Sequence, residues 1–184
     1  MATGLAGPYA IAFTPSGSLA YISTDAHILT MPVGGGWYSV LAGSGVLGFA
    51  DGQGILAKFY GANAFVVHPV TGVIYITDQT NNRVRACTPQ GLVSTVVGTG
   101  TGGSMDGAAL TATFNKPVGI VMDPTSVYLY VACAWGCNVR QVVLSSGYTT
   151  TLAGSGAPTS TDGLGLGATL NNPEYVMKAD IRKY

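Results

Sequence analysis

Short runs of β-branched and aromatic residues, each ended within about six positions by Gly, Pro, Asn or Asp, set the rhythm of this chain. The stretch from residue 65 shows the pattern well. Phe65-Val66-Val67 precedes His68-Pro69-Val-Thr-Gly72, a Pro/Gly turn. Val73-Ile-Tyr-Ile-Thr77 then predicts a strand, Asp78-Gln-Thr-Asn-Asn82 a turn, and Arg83-Val-Arg-Ala-Cys-Thr88 a strand of alternating polar and apolar side chains. Pro89-Gln-Gly91 turns again, and Leu92-Val-Ser-Thr-Val-Val97 makes a fourth strand. No amphipathic run of helical length interrupts the series, so the pattern predicts an all-β chain.

The pattern repeats. Asp51-Gly52, Asp106-Gly107 and Asp162-Gly163 recur at spacings of 55 and 56. Six residues after each Asp come Ala57-Lys-Phe-Tyr, Ala112-Thr-Phe-Asn and Ala168-Thr-Leu-Asn. Ahead of each stand the glycine pairs Gly43-Ser-Gly45, Gly98-Thr-Gly100 and Gly154-Ser-Gly156. Pro15, Pro69 and Pro124 keep step, as do Tyr21, Tyr75 and Tyr130. Arg85 and Arg140 match, with Leu29 in their place in the first copy. Four short strands per period of about 55 residues is the signature of a propeller blade.

The residues also carry a family resemblance. Leu152-Ala-Gly-Ser-Gly156, Asp162-Gly-Leu-Gly165, Ala168 and Asn172-Pro173 resemble the NHL repeat, as do Pro117-Val-Gly-Ile-Val-Met-Asp-Pro124 with Leu129-Tyr-Val-Ala132, and Ile74-Tyr-Ile-Thr-Asp-Gln-Thr-Asn-Asn-Arg-Val-Arg85. The first copy departs from the pattern, since Thr24-Asp25-Ala-His27-Ile-Leu29 lacks the Asn-Asn-Arg-Val-Arg run. The resemblance implies an NHL-type β-propeller of four-stranded blades. It places repeat 1 at about 8–61, repeat 2 at 62–116, repeat 3 at 117–172 and the start of a fourth at 173–184, all in one partial domain over 1–184. NHL propellers usually have six blades, and closed rings in general have four to eight. Three blades leave two faces bare. The remaining blades are therefore expected as partners, from the same parent chain in preference to another subunit.

Composition narrows the function. Charged residues are only 9% of the chain, 8 Lys+Arg against 8 Asp+Glu, with zero net charge. Nucleic acid is not expected as a partner, because phosphate binding needs a basic stripe. Direct membrane insertion is not expected either, because no apolar run approaches the ~20 residues of a span. Five of the eight acids (Asp51, Asp78, Asp106, Asp123 and Asp162) sit at places that the period fixes. That points to architecture: Asp accepting backbone N–H groups, Gly at positive φ in a fixed turn, and Arg85 and Arg140 pairing with those carboxylates or stacking between blades.

Catalysis needs a constellation, and only two histidines are present. His68 aligns with Thr14 and Asp123 just before the recurrent Pro and reads as a turn residue. His27 lies in an inter-strand turn and is the better ligand candidate. Each Asp-Gly loop offers one carboxylate, fewer oxygens than a calcium site requires. No catalytic residue, metal or cofactor is assigned. NHL-like propellers that act as lyases or lactonases depend on His and acid clusters facing the channel, so that resemblance leaves a metal-dependent enzyme, with its catalytic residues on other blades, as the alternative.

Cys133-Ala-Trp-Gly-Cys137 spans the turn that reads Asp78–Asn82 one period earlier. Its ends flank a hairpin connection, so a Cys133–Cys137 disulfide is expected, which would imply an oxidising compartment. Cys87 aligns with Val142 and reads as a small buried hydrophobe. His27, Gln79, Asn81, Asn82 and Trp135 occupy equivalent turns on one face, where Asn and Trp suit adaptable hydrogen bonding and aromatic anchoring. The function expected is a non-catalytic interaction or structural module for a protein or glycan, extracellular or at the cell surface. The cysteine pair and the Ser, Thr and Gly richness motivate that location.

Overall fold

The computed structural model describes residues 7–177. Its strands run β1 Ala10–Phe13, β2 Leu19–Ser23, β3 Ile28–Pro32, β4 Ser39–Ala42, β5 Gly52–Gln53, β6 Ala62–Val67, β7 Ile74–Asp78, β8 Arg83–Cys87, β9 Leu92–Val97, β10 Pro117–Met122, β11 Tyr128–Cys133, β12 Asn138–Val143 and β13 Thr149–Ala153. They form three antiparallel meanders, β1-β2-β3-β4, β6-β7-β8-β9 and β10-β11-β12-β13. The short β5 adds to the outer edge of the second through Gly52↔Val93. The isolated pair Gly107↔Thr149 repeats that arrangement on the third. The first two Asp-Gly segments thus leave their own blades and clip to the outermost strand of the next.

The first strands β1, β6 and β10 lie side by side, which makes them the inner strands of a partial β-propeller. Hydroxyls at the ends of the second strands tie neighbouring blades together near the axis. Ser23 Oγ donates to the Asn63 carbonyl at 3.4 Å, and Thr77 Oγ1 donates to the Val118 carbonyl at 2.7 Å.

Period-2 alternation lets one strand serve two cores. Ile74, Ile76 and Cys87 face the first blade and pack with Tyr21 and Ile28. Val84 and Val97 face the third and pack with Ile120, Leu129 and Val142. The loop residues Ala57 and Phe59 close the first core, and Ala112 and Phe114 the second, all fully buried. That explains the Ala-x-Phe landmark: the ring wedges between two blades, and the alanine leaves room for the close strand.

The ring is open on both sides. On the first blade Ile11 and Phe13 are 60% and 56% exposed, while their neighbours Ala10 and Ala12 pack inward. On the third blade Val121, Tyr130, Val139 and Leu152 line an open apolar cavity of about 320 Å³. Of the expected start of a fourth repeat, residues 173–177 form no strand and 178–184 lie outside the described residues.

The expected Cys133–Cys137 disulfide is not formed. Cys87, Cys133 and Cys137 are all free and buried. The cross-strand partner of Cys133 is Asn138, so Cys137 lies within the turn at φ 51. The Cys133 side chain belongs to the apolar core, whereas Cys137 Sγ faces the Ala134 carbonyl at 3.7 Å. The argument for an oxidising compartment loses this support.

Candidate functional site

The turns between the second and third strands gather at one end of the blades, and the sequence places His27, Gln79, Asn81, Asn82 and Trp135 there. The structure divides these five residues. Asn81 Nδ2 donates to the Gly48 carbonyl at 2.8 Å and to Asp78 at 2.9 Å. Asn82, at φ 52, donates to the Gly100 carbonyl at 3.3 Å and accepts the Lys116 N–H at 2.9 Å. Both amides are spent on joining loops. Asn tolerates the left-handed turn position better than most residues, which gives Asn82 a structural reason for its place. His27 is half-buried against Gly45, and burial pushes its imidazole below the ordinary histidine value. His68 lies at the opposite end of its blade, where Nδ1 accepts the N–H groups of Val70 and Thr71, both at 3.2 Å. Among the described residues no three His, Cys, Asp or Glu side chains converge.

Gln79 and Trp135, in contrast, flank a cleft of about 310 Å³. Asn63, Val118 and Ala134 also line it, with Tyr9 on one side and Asn172, Glu174 and Tyr175 on the other. Trp135 is 67% exposed but held from behind: Lys116 Nζ lies 5.1 Å from its ring centroid, and Asn115 Nδ2 donates to its carbonyl at 3.3 Å. Lys116 is itself fixed, with Nζ donating to Thr80 Oγ1 at 3.1 Å. Tyr9 donates to Asp25 at 3.0 Å, and that bond, ahead of partial burial, raises the phenol above its ordinary value. Asn172 donates to Glu174 at 3.0 Å. The Gln79 and Asn63 amides, the Trp135 indole N–H and the Tyr175 hydroxyl hold no protein partner among the described residues. The cleft therefore offers three exposed aromatic rings, Tyr9, Trp135 and Tyr175, and several neutral polar groups without a partner among the described residues. No cation is among its described lining residues; Lys116 lies behind it against the Trp135 ring, and the Glu174 carboxylate is bonded to the Asn172 amide. Sequence reasoning missed Tyr9, Asn63, Glu174 and Tyr175 because they lie outside the recurrent turns: Tyr9 just before β1, Asn63 in β6, and Glu174 and Tyr175 in a connecting segment.

The Asp-Gly landmarks have a different geometry. Arg85 is fully buried and uses every donor: Nε and Nη2 reach Asp51 at 3.1 and 2.5 Å, Nη1 reaches Asp78 at 2.6 Å, and the Ala50 and Lys58 carbonyls take the rest. Arg140 repeats the contact with Asp106 at 2.8 Å and with the Met105 and Thr113 carbonyls. Asp51 and Asp106 thus pair with an arginine of the following blade. Gly52 and Gly107 have φ of 149° and 146°, whereas Gly163 is not at positive φ. Asp106 is held below its ordinary value: partial burial opposes this, but bonds from Thr151 and the Arg140 guanidinium outweigh it.

No protein-family model matches the sequence, and no curated protein does. Among solved structures, the chain is similar to a structural-genomics protein of unknown function from Bacteroides thetaiotaomicron (TM-score 0.75, 21% identity, 91% of this chain and 41% of that one). It is also similar to an auxiliary nutrient binding protein from Bacteroides ovatus (TM-score 0.70, 19% identity, 91% and 42%) and to virginiamycin B lyase from Staphylococcus aureus (TM-score 0.53, 15% identity, 79% and 40%). At such identities the likeness shows the fold, a β-propeller of which this chain forms an open part. The chain spans less than half the length of each of these three proteins.

Proposed function

We propose that this chain is part of a non-catalytic, NHL-type propeller module that binds a neutral glycan in the cleft between Trp135 and Tyr175, in an extracellular or cell-surface setting. One observation carries the reading. At the end of the blades where the turns meet, three aromatic rings stand exposed beside the Gln79 and Asn63 amides, which hold no protein partner among the described residues, while the Asn81 amide donors and both ends of the Asn82 amide are bonded. Sugar rings present C–H faces that stack on aromatic rings and hydroxyls that pair with neutral amides, and both features are in place. The near-absence of free charge suits such a ligand better than a phosphate or an acidic peptide. The likeness to a nutrient binding propeller is compatible with this reading.

The test is calorimetric titration of the chain with a panel of neutral oligosaccharides, read together with the Trp135 indole resonance. Binding should be saturable, shift that resonance, and weaken at least tenfold in Trp135→Ala, an exposed position where the fold should be unaffected. Binding that Trp135→Ala leaves unchanged, or no binding across the panel with a protein ligand captured in its place, would assign the cleft otherwise.

A further inference from the structure

The loops carrying the first two Asp-Gly landmarks each hold a guanidinium group. In the first copy the acceptors are the Ala50 carbonyl, Asp51 and the Lys58 carbonyl, and they hold Arg85. In the second they are the Met105 carbonyl, Asp106 and the Thr113 carbonyl, and they hold Arg140. The third copy aligns Thr161, Asp162 and Thr169. Its backbone is already shaped: Thr161 pairs with Thr169 as Ala50 pairs with Lys58. These three residues line an open cavity of about 570 Å³, and none of the described guanidinium groups reaches Asp162. The apolar wedge behind the cradle agrees. Ala57 with Phe59 and Ala112 with Phe114 are fully buried, whereas their counterparts Ala168 and Leu170 are only half-buried.

We infer that this cradle docks a fourth blade of the same polypeptide, carrying an arginine on its third strand. Both observed pairs separate Asp from Arg by 34 residues, which puts the docking arginine 34 residues on from Asp162, at position 196. A second copy of this chain does not fit. Its first blade presents Leu29 at the arginine place, and burying Asp162 and two carbonyls against leucine leaves all of them without a donor. The apolar face of the third blade and the charged cradle thus specify one occupant between them.

The first test is the parent coding sequence, which should encode arginine at position 196; any other residue there, or a stop codon before it, overturns the inference. The second uses the 184-residue chain. Asp106→Ala should lower its melting temperature by about 3–8 °C, since it uncouples a buried arginine, while Asp162→Ala should shift it by less than about 1 °C. In the chain extended through the next blade, Asp162→Ala should cost as much as Asp106→Ala. A comparable loss already in the 184-residue chain overturns the inference, as does a reversible dimer by sedimentation that Asp162→Ala weakens.

Discussion

Cys133 occupies in the third blade the place that Asp78 holds in the second: each ends the second strand of its meander, opposite Asn138 and Arg83 respectively. The exchange changes what the buried arginines can do. Among the described residues Arg85 has carboxylates on two sides, while Arg140 has one and keeps its Nε without a partner. Burial pushes the Asp78 carboxyl above the ordinary aspartate value, against the pull of Asn81, the Tyr60 N–H and Arg85. Removing one partner of a buried pair costs about 3–5 kcal/mol because the other charge stays behind. Asp78→Ala should therefore lower the melting temperature by about 6–12 °C in a thermal denaturation experiment. Asp106→Ala should cost less, because its side chain is 47% exposed and water can replace it.

The cysteines predict an alkaline limit. Burial in apolar surroundings pushes the Cys87 and Cys133 thiols up to about 12. In the unfolded chain a thiol ionises near pH 8.5–9. Between these values the unfolded chain releases protons that the folded one keeps, so their contribution is intact below about pH 9 and is lost as pH rises towards 12. Each thiol should steepen the loss of stability by about 1.4 kcal/mol per pH unit in that window. Denaturant melts of the wild type and of Cys133→Ala at pH 8 and pH 10.5 check this: the variant should lose less stability between them. A thiol titration of the unreduced, denatured chain should count three free groups.

The recurrent glycine pairs have a steric cause. Gly98 sits at φ 109°, and a Cβ there would lie 2.6 Å from the Asn82 carbonyl oxygen. Gly154 repeats the contact one blade on, 2.4 Å from the Cys137 carbonyl oxygen. In each case the fourth strand leaves its blade by passing over the turn between the second and third strands. Gly98→Ala meets both a backbone clash and an unfavourable φ, and should cost about 2–4 kcal/mol by denaturant unfolding. Gly34→Ala, with nothing within 4 Å, should be neutral within about 0.5 kcal/mol.

The architecture was legible because its signal is redundant. Period, turn residues and alternation all fall on the same positions, so the strand predicted at Leu92–Val97 matches β9 and the one predicted at Arg83–Thr88 falls on β8. The partnership of Asp51 with Arg85 was readable only as one option, because a linear period does not show that the Asp-Gly segment crosses to the next blade. The disulfide failed for a related reason. Spacing brought Cys133 and Cys137 near each other, but strand register decides which side chains face, and it faces Cys133 with Asn138. The cleft was half legible: turn position found Gln79 and Trp135, whereas whether an Asn amide is free or spent depends on loops far along the chain, Gly48 for Asn81 and Lys116 for Asn82.

That last contrast gives a prediction confined to one turn. Gln79 and Asn82 are three residues apart, both half-buried, and chemically alike. The Asn82 amide bridges the Gly100 carbonyl and the Lys116 N–H, and so holds the cation beneath Trp135 as well as the left-handed turn. Asn82→Ala removes two hydrogen bonds at a position where alanine is strained, so it should cost about 2–3 kcal/mol and lower the melting temperature by about 4–10 °C. Gln79 lines the cleft and its amide has no protein partner among the described residues, so Gln79→Ala should leave the melting temperature within about 1 °C of wild type while weakening oligosaccharide binding roughly three- to tenfold. Melting curves and calorimetry on the two variants separate the roles. Equal losses of stability in both would mean that Gln79 is as structural as Asn82, and would remove it from the recognition surface.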